Sequence, residues 1–206
     1  MEEKVSAIID ILKHHYPNPA CALHYSKDYE LMIAVRLSAQ CTDARVNLIT
    51  PALFSAYPTL EAMASAPIEH IEELVHSCGF YKHKARDIVL ACQTLLFKHG
   101  GKVPGTMEEL LALPGVGRKT ANLLLGDLYN IPGSVVCDTH CIRICGRLGL
   151  SEGKDPEKVE KQLRSILPPH ESSDFCHRIV LFGRDICTAR APQCHRCPLS
   201  MWCNHI

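Results

Sequence analysis

The sequence lacks an apolar run that approaches the roughly 18 residues a helix needs to cross a membrane. It also lacks the basic and then apolar opening of a secretory signal, because its first residues, MEEKVSAIIDILKHH, start acidic and become amphipathic. These absences exclude a membrane-spanning protein and argue against a secreted one. We therefore expect a cytoplasmic protein without a membrane partner.

The chain also lacks net charge, because its 22 Lys and Arg residues are matched by 22 Asp and Glu residues. Neutrality argues mildly against a nucleic-acid partner, since binding to a phosphate backbone favours a basic surface. Residues 1–80 are acidic and the remainder is weakly basic. That asymmetry is too small to decide the class of partner, so the function has to be inferred from motifs.

No segment shows the sustained polar and apolar alternation that marks a half-buried strand. Helical spacing fits nearly every segment, and in the first fifteen residues it is set by Val5, Ile8, Ile9 and Leu12. The short run Val135-Val136-Cys137 is the one β-like stretch. At 206 residues the chain is long enough for one or two domains with buried cores. The pattern predicts an all-α protein.

Three threonines mark expected helix starts, because a threonine hydroxyl accepts a hydrogen bond from a backbone amide of the first turn. They are Thr42 (with Asp43 as the alternative), Thr59 and Thr106, and the last of them forms a capping box with Glu109. Ser65 is a further expected helix start, with Pro67 in the first turn. Boundaries between domains are expected inside YPNPA and near Ile131-Pro132-Gly133, where Pro and Gly interrupt the helical pattern.

The stretch Leu113–Arg147 carries the residues that indicate chemistry. Its first part, LPGVG, follows a short helix and precedes an apolar helix that starts at Arg118. Two glycines let the backbone approach a ligand closely. The amides of Val116, Gly117 and Arg118 are expected to face outward, where a helix N-terminus binds phosphate oxygens. A helix–turn–helix corner with glycines for close packing is the commoner explanation of a bare GxG.

Lys119 falls in the first turn of this helix, where the positive end of the helix dipole disfavours a cation. The same field, with desolvation, is expected to lower the pKa of the lysine from about 10.4 towards neutrality. A neutral amine is a nucleophile. Asp138 follows an apolar run and could orient that amine, transfer a proton or stabilise positive charge. A surface lysine and an aspartate that caps the helix from Thr139 also fit the spacing.

Twelve cysteines are many for a cytosolic protein, and four lie in the last 20 residues. The pattern C-x6-C-x2-C-x5-C comprises Cys187, Cys194, Cys197 and Cys203. Four thiolates so close in sequence indicate a metal site. Zinc favours two C-x2-C pairs, so the single pair favours an iron–sulfur cluster without excluding zinc. Cys137, Cys141 and Cys145, beside Asp138, are expected to be buried thiols.

These motifs occur together in one known family. The run LPGVGRKTAN, the aspartate of VCDTH nineteen residues after Lys119, and the cysteine tail resemble the endonuclease III family of helix-hairpin-helix DNA glycosylases. The resemblance extends from the LSAQ loop to the last cysteine. It implies a base-excision-repair enzyme that removes oxidised pyrimidines from double-stranded DNA. The same enzyme would cleave the resulting abasic site by β-elimination through a lysine Schiff base.

The resemblance assigns roles to individual residues. Lys119 matches the Schiff-base nucleophile and Asp138 the essential carboxylate. Positions that bind DNA are matched by Gly115, Val116, Gly117, Arg118 and His140. The ligands of a 4Fe-4S cluster are matched by Cys187, Cys194, Cys197 and Cys203.

Two loop residues match those that the family inserts into DNA. A glycosylase takes its target base out of the stack and fills the gap. Gln40 matches the residue that faces the orphaned base. Phe80 stands where the family often carries an aliphatic wedge such as leucine, and phenylalanine can also intercalate. A loop glutamine and a core aromatic are the alternative interpretations.

The resemblance also implies a domain arrangement. Residues 20–131 would form a six-helix domain with the hairpin, and residues 1–19 plus 132–206 a helical cluster domain. The active site is expected in the cleft between them, with Asp138 facing Lys119. We expect a monomer that acts on damaged or abasic double-stranded DNA, associated with the nucleoid in the cytoplasm.

Two other functions compete with this one. A monofunctional adenine-mismatch glycosylase would share the fold and the cluster, but that relative lacks a lysine at the position of Lys119. The other is a non-enzymatic DNA-binding module or redox sensor, and the neutral charge and the many cysteines give slight support to the sensor. Nicking of abasic-site DNA distinguishes the enzyme from the binding module.

Overall fold

The protein is helical throughout the part that the structure, a computed structural model, describes, which is residues 1–205. The α-helices of this part are α1 (Glu2–His15), α2 (Asp28–Ser38), α3 (Asp43–Ala56), α4 (Leu60–Ala64), α5 (Ile68–Val75), α6 (Tyr81–His99), α7 (Met107–Leu111), α8 (Arg118–Tyr129), α9 (Thr139–Arg147), α10 (Pro156–Ile166) and α11 (Ser172–Asp185). Residues 1–205 contain no β-strand, so the all-α prediction is confirmed. None of their helices has the length and apolar character required to span a membrane.

The chain divides into two compact units. One comprises Ala22–Leu128, which we call the hairpin unit because it contains the LPGVG turn. The other comprises Met1–Cys21 and Tyr129–Ile206, which we call the cysteine unit because it contains the four tail cysteines. Each unit has its own set of buried apolar side chains.

The core of the hairpin unit is built around α2 and α6. In α2 every residue from Tyr29 to Val35 is buried, and so is Leu37. A helix that is apolar on all sides belongs in the centre of a domain. The longer helix α6 packs against α2, α4 and α5. The loops that follow α2 and precede α6 therefore start from fixed positions.

The helix starts predicted at Thr42, Thr59 and Thr106 are confirmed. The start predicted at Ser65 is wrong, because Ser65 ends α4 and Pro67 is the N-cap of α5. The hydroxyls of Thr42, Thr59 and Thr106 accept hydrogen bonds from the amide three residues ahead, at 3.3, 3.1 and 3.3 Å. Each bond satisfies an amide that has no acceptor inside the helix. Glu109 differs from the predicted capping box in one detail, because its carboxylate accepts the hydroxyl proton of Thr106 at 2.6 Å.

In the cysteine unit, the N-terminal helix α1 packs against α11, and α11 packs against α9. The predicted apolar stripe of α1 is buried and consists of Val5, Ile8, Ile9 and Leu12. The buried Arg178 of α11 donates from Nε to the Tyr16 carbonyl at 3.1 Å and pairs with Asp174 at 3.3 Å. The bond to Tyr16, the residue that ends α1, joins the first helix of the chain to its last long helix.

Candidate active site

The tight turn between α7 and α8 is closed by the backbone. The Val116 amide donates to the Leu113 carbonyl at 3.2 Å, and Gly115 has a φ of 74°. Pro at the second position and a positive-φ Gly at the third are the pattern of a type II turn. The Val116 amide is used inside the turn and its side chain is buried. The prediction that this amide faces outward was therefore wrong.

The start of α8 leaves other amides for a ligand. The Gly117 carbonyl accepts a hydrogen bond from the Ala121 amide at 2.9 Å, and Arg118 is the first residue of the helix. Amides of a first helical turn have no acceptor inside the helix. They also carry the positive end of the helix dipole. This end of α8 can therefore bind a phosphate oxygen.

Gly115 lies against an ion pair that the sequence analysis missed. Arg36 of α2 donates to Asp87 Oδ2 of α6 from Nε at 2.8 Å, and its Nη2 lies 2.7 Å from the same oxygen. A Cβ at Gly115 would lie 2.6 Å from Arg36 Nε and 2.8 Å from Asp87 Oδ2. The signal in the sequence was an arginine inside the apolar run LMIAVRLS. The turn at Gly115 therefore packs directly against the ion pair that joins the core helices α2 and α6.

We expect Gly115→Ala to lower the free energy of unfolding by more than about 2 kcal/mol. An alanine in the left-handed region costs about 1–2 kcal/mol, and its Cβ would also collide with the Arg36–Asp87 pair. Urea unfolding measures the loss. Gly117→Ala is the matched control, because no atom lies within 4 Å of its added Cβ. Equal stability of the two variants would contradict the close packing of Gly115 against Arg36 and Asp87.

Lys119 is the second residue of α8 and is exposed. Its position in the first turn is as predicted. The sequence also predicted that the Lys119 side chain is desolvated. The side chain is exposed to solvent, so the residues around it do not supply that desolvation. An exposed amine is accessible to a substrate, and a bound substrate would be the group that excludes water from it.

Asp138, in the cysteine unit, caps α9. Its Oδ1 accepts a hydrogen bond from the Cys141 amide at 2.7 Å. The interpretation of Asp138 as a helix cap is therefore confirmed. A carboxylate has about four acceptor sites and the cap occupies one of them. The half-buried side chain can serve the helix and a ligand together.

His140 belongs to α9, and its ring packs against Gly183 of α11. Its Nδ1 lies 3.3 Å from Nη2 of Arg143, and the same Nη2 donates to the Cys187 carbonyl at 2.8 Å. A Cβ at Gly183 would overlap His140 Nδ1, so the glycine makes room for the ring. The contact of His140 with DNA stays a prediction. The structure adds a physical link from this ring, through Arg143, to the first tail cysteine.

Four buried cysteines lie close together in the core of the cysteine unit, and one of them precedes Asp138 directly. The members are Cys137, Cys141, Cys145 and Cys176. Hydrogen bonds with Cys137, Cys145 and Cys176 raise the pKa of the Cys141 thiol well above its usual value. The Cys141 and Cys145 sulfurs are 4.0 Å apart. The prediction of buried thiols is confirmed for the three cysteines beside Asp138, which act as small apolar groups in the core of this unit.

Gln40 and Phe80 share an unusual backbone conformation. Their φ angles are 56° and 48°, in the left-handed region that side chains with a Cβ disfavour. Asn130 is the third such residue within positions 1–205, and asparagine tolerates that region. Gln40 is exposed, and Phe80 is 64% exposed. The interpretation of Phe80 as a core aromatic was therefore wrong, and strained exposed positions of this kind are typical of functional loops.

The four tail cysteines line one cavity of the cysteine unit together with Arg147 and Gln193. Arg147 Nη1 donates to the Cys187 sulfur at 3.1 Å. Burial raises the pKa of the Cys197 thiol, and the three other tail cysteines add to that shift. In the described part of the chain, no three His, Cys, Asp or Glu side chains converge closely enough to hold one metal ion. Four thiols lining one cavity are a donor set that can hold a zinc ion or an iron–sulfur cluster.

Comparison with known proteins gives one consistent result. Residues 33–169 match the family described as HhH-GPD superfamily base excision DNA repair protein. Over 202 residues the chain is 44% identical to endonuclease III of Synechocystis sp., which covers 98% of this chain and 92% of that protein.

Two solved structures resemble the chain along nearly its whole length. A non-covalent endonuclease III–DNA complex has a TM-score of 0.93 and 40% identity, covering 99% of this chain and 95% of that one. A trapped endonuclease III–DNA covalent intermediate, with an estranged adenine, also has a TM-score of 0.93 and 40% identity, covering 99% and 96%.

Proposed function

The chain belongs to the HhH-GPD superfamily of base excision DNA repair proteins and, within it, to the endonuclease III family, and we propose that it is a bifunctional DNA glycosylase and abasic-site lyase for oxidised pyrimidines. The similarity spans both units, and both similar structures contain DNA, one of them covalently bound. The observation that carries the proposal is the exposed Lys119 in the first turn of α8, directly after a turn whose glycines allow a backbone to approach.

The hairpin would hold the DNA backbone. Gly117 carries no side chain in front of the first turn of α8, so a phosphate can come close to the amides there. Arg118 adds a cation beside that phosphate. Gly115 and Val116 shape the turn and would place the start of α8 next to the DNA backbone. Such contacts position the duplex without reading its sequence.

The two loops with left-handed residues would open the duplex. Phe80 would enter the stack as a wedge, since an inserted apolar side chain unstacks neighbouring bases. Gln40 would fill the gap, and its amide can donate and accept hydrogen bonds with the orphaned base. The target nucleotide would then lie outside the helix, where its C1′ is accessible.

Lys119 would attack that C1′. Its nitrogen forms a bond to C1′ while the bond from C1′ to the base breaks, and the base leaves with the electron pair and takes up a proton. Opening of the C1′–O4′ bond gives an imine between lysine and sugar. Loss of a proton from C2′ lets the C3′–O bond break, which cuts the strand 3′ to the site. Water hydrolyses the imine and restores the amine.

Asp138 would act on the same nucleotide. Its carboxylate can accept the proton that the attacking amine loses and can stabilise the positive charge that develops on the sugar. His140, two residues later on α9, would contact the DNA backbone on the same side. The capping bond to Cys141 fixes the carboxylate in one orientation, which favours both roles.

A duplex with one thymine glycol tests the function. We expect release of the damaged base and cleavage of the strand, and neither reaction on the undamaged duplex. A duplex with adenine opposite 8-oxoguanine is the matched comparison, and it should remain intact. Release of that adenine without strand cleavage would instead identify the monofunctional mismatch enzyme, and binding without reaction on either duplex would identify a non-enzymatic module.

The tail cysteines would hold a 4Fe-4S cluster, with Cys187, Cys194, Cys197 and Cys203 as its ligands. When bound, the cluster supplies iron–thiolate bonds that cross-link the tail and a redox-active centre. Arg147 already donates to Cys187, so it would stabilise that thiolate. The tail also binds α9 directly, because the Asn204 amide donates to the Arg147 carbonyl at 2.7 Å.

Replacing Cys197 with serine is expected to remove most of the iron and to unfold the tail. The variant should lose the absorbance near ~400 nm expected of thiolate-bound iron clusters, and elemental analysis should find iron falling with it. Cys92→Ala is the matched control, because Cys92 is buried in α6 of the other unit. A colourless wild-type protein that contains zinc would contradict the cluster.

We further propose that the protein acts as a monomer on the chromosomal DNA of the nucleoid. Sedimentation with a short duplex carrying one abasic site measures the stoichiometry. One protein per duplex is the expected result.

A further inference from the structure

Lys84 is a buried lysine that the proposed mechanism does not use. It lies in the first turns of α6 and is 1% exposed. Its Nζ donates to the Leu37 carbonyl at 2.9 Å and to the Cys78 carbonyl at 2.8 Å. Spacing could have identified it, because Lys84 falls on the same stripe of α6 as the buried Ala85, Ile88 and Val89.

Burial of the Lys84 ammonium costs desolvation free energy, which its hydrogen bonds must offset. Desolvation lowers the pKa of its ammonium. In the described part of the chain, Nζ contacts carbonyl oxygens and no carboxylate is bound to it. The last carbonyls of a helix have no donor inside it, and Lys84 satisfies one at the end of α2 and one at the end of the 3₁₀ turn. A compact group with three donors thereby joins two separate backbone segments.

The two carbonyls lie at the bases of the two loops that would enter DNA. Leu37 is in the last turn of α2, three residues before Gln40. Cys78 ends the 3₁₀ turn that starts at His76, two residues before Phe80. The side chain of Lys84 thus joins the base of one loop to the base of the other.

Two further contacts reinforce this connection. The backbone amide of Lys84 donates to the Phe80 carbonyl at 3.1 Å, so the same residue fixes the wedge through its main chain. Beneath the loops, the Cys41 and Cys78 thiols interact, and burial together with this interaction raises the pKa of Cys78 to about 11. The segments that carry Gln40 and Phe80 are therefore linked by Lys84 and by the contact between the Cys41 and Cys78 thiols.

We propose that Lys84 is a positioning residue that holds Gln40 and Phe80 at a fixed separation, so that both side chains enter the duplex together. This inference rests on the proposed function. Because both residues occupy disfavoured backbone conformations, the surrounding structure must hold them there. The ammonium donates a hydrogen bond to the base of each loop. Without it, each loop is expected to relax independently, and opening of a paired duplex becomes slower.

Lys84→Met tests the inference, because methionine keeps the length of the side chain and removes the donors. The two substrates carry the same thymine glycol, in a fully paired duplex and in a bubble where the flanking bases are mismatched. The bubble removes most of the work of unstacking. We expect the single-turnover rate of base release to fall about 10-fold to 100-fold on the paired duplex and less than about 3-fold on the bubble.

Ile88→Ala is the matched control, since Ile88 is buried one turn later on α6 and its aliphatic side chain has no donor for the Leu37 and Cys78 carbonyls. It should lower the melting temperature and change both rates equally. If Lys84→Met does not fold, the comparison is made with Lys84→Arg, whose planar guanidinium cannot reproduce the geometry of the ammonium. The same preference for the bubble is expected.

Equal losses on both substrates, or no loss on the paired duplex, would overturn the positioning role. Failure of the proposed function is a different result. In that case the wild-type protein would release no base from either substrate and would not be trapped by borohydride.

Discussion

Replacing Lys119 with glutamine is expected to abolish borohydride trapping of the protein on abasic-site DNA. Glutamine keeps a polar side chain of similar size in the first turn of α8, so the fold and the turn before it should survive. It has no amine and cannot form an imine, so the reducible covalent intermediate is lost. Strand cleavage should fall by at least about 10³-fold, the scale on which an essential nucleophile contributes.

A charge-matched control separates chemistry from DNA attraction. Lys102 is an exposed lysine of the same unit, in the loop before α7. Lys102→Gln removes the same charge and should be trapped at the wild-type level. Gel-shift affinity for abasic duplex should change similarly in both variants. Trapping of Lys119→Gln at the wild-type level would exclude Lys119 as the nucleophile.

Replacing Asp138 with asparagine is expected to separate the two roles of this residue. Asparagine caps helices about as well as aspartate, so the hydrogen bond from the Cys141 amide and the stability should persist. An uncharged amide neither accepts a proton from an amine nor stabilises a developing cation. We expect base release to slow by about 10²-fold to 10⁴-fold, the range attributed to a positioned acid or base.

Asp138→Ala completes this comparison. Alanine removes the carboxylate and the cap together, so its free energy of unfolding should fall by about 1 kcal/mol relative to the asparagine variant. Both variants should be equally slow in single-turnover base release. An asparagine variant with wild-type rates would show that Asp138 is only a helix cap.

Much of the helical architecture could be predicted from local patterns. The α1 stripe and the threonine caps depend on residues within four positions of one another, so the sequence alone determines them. The conformation of Gly115 could be predicted in the same way, because a Pro-Gly pair specifies a turn in which the glycine takes a positive φ. Burial of Cys141 also followed from local spacing, because Cys137, Cys141 and Cys145 fall on one side of a helix start.

What the sequence did not reveal depends on contacts between distant segments. The ion pair beneath Gly115 joins residues 51 positions apart. The bond from Lys84 to the Leu37 carbonyl spans 47 positions. The Val116 amide was assigned to a phosphate because spacing shows which amides are near a helix start, and it does not show which of them a turn has already used. Exposure of Phe80 was equally hidden, because loop and core aromatics have the same local pattern.

The backbone at Gln40 and Phe80 has a consequence for how this protein could evolve. Glycine at either position would relieve strain of about 1–2 kcal/mol per residue, offset in part by about 0.4–1 kcal/mol of added freedom in the unfolded chain. Selection for heat resistance alone would therefore favour glycine at both positions. If Gln40 and Phe80 enter DNA as proposed, selection for repair would oppose it, because glycine has no side chain to insert. Under that proposal both positions carry a stability–activity trade-off.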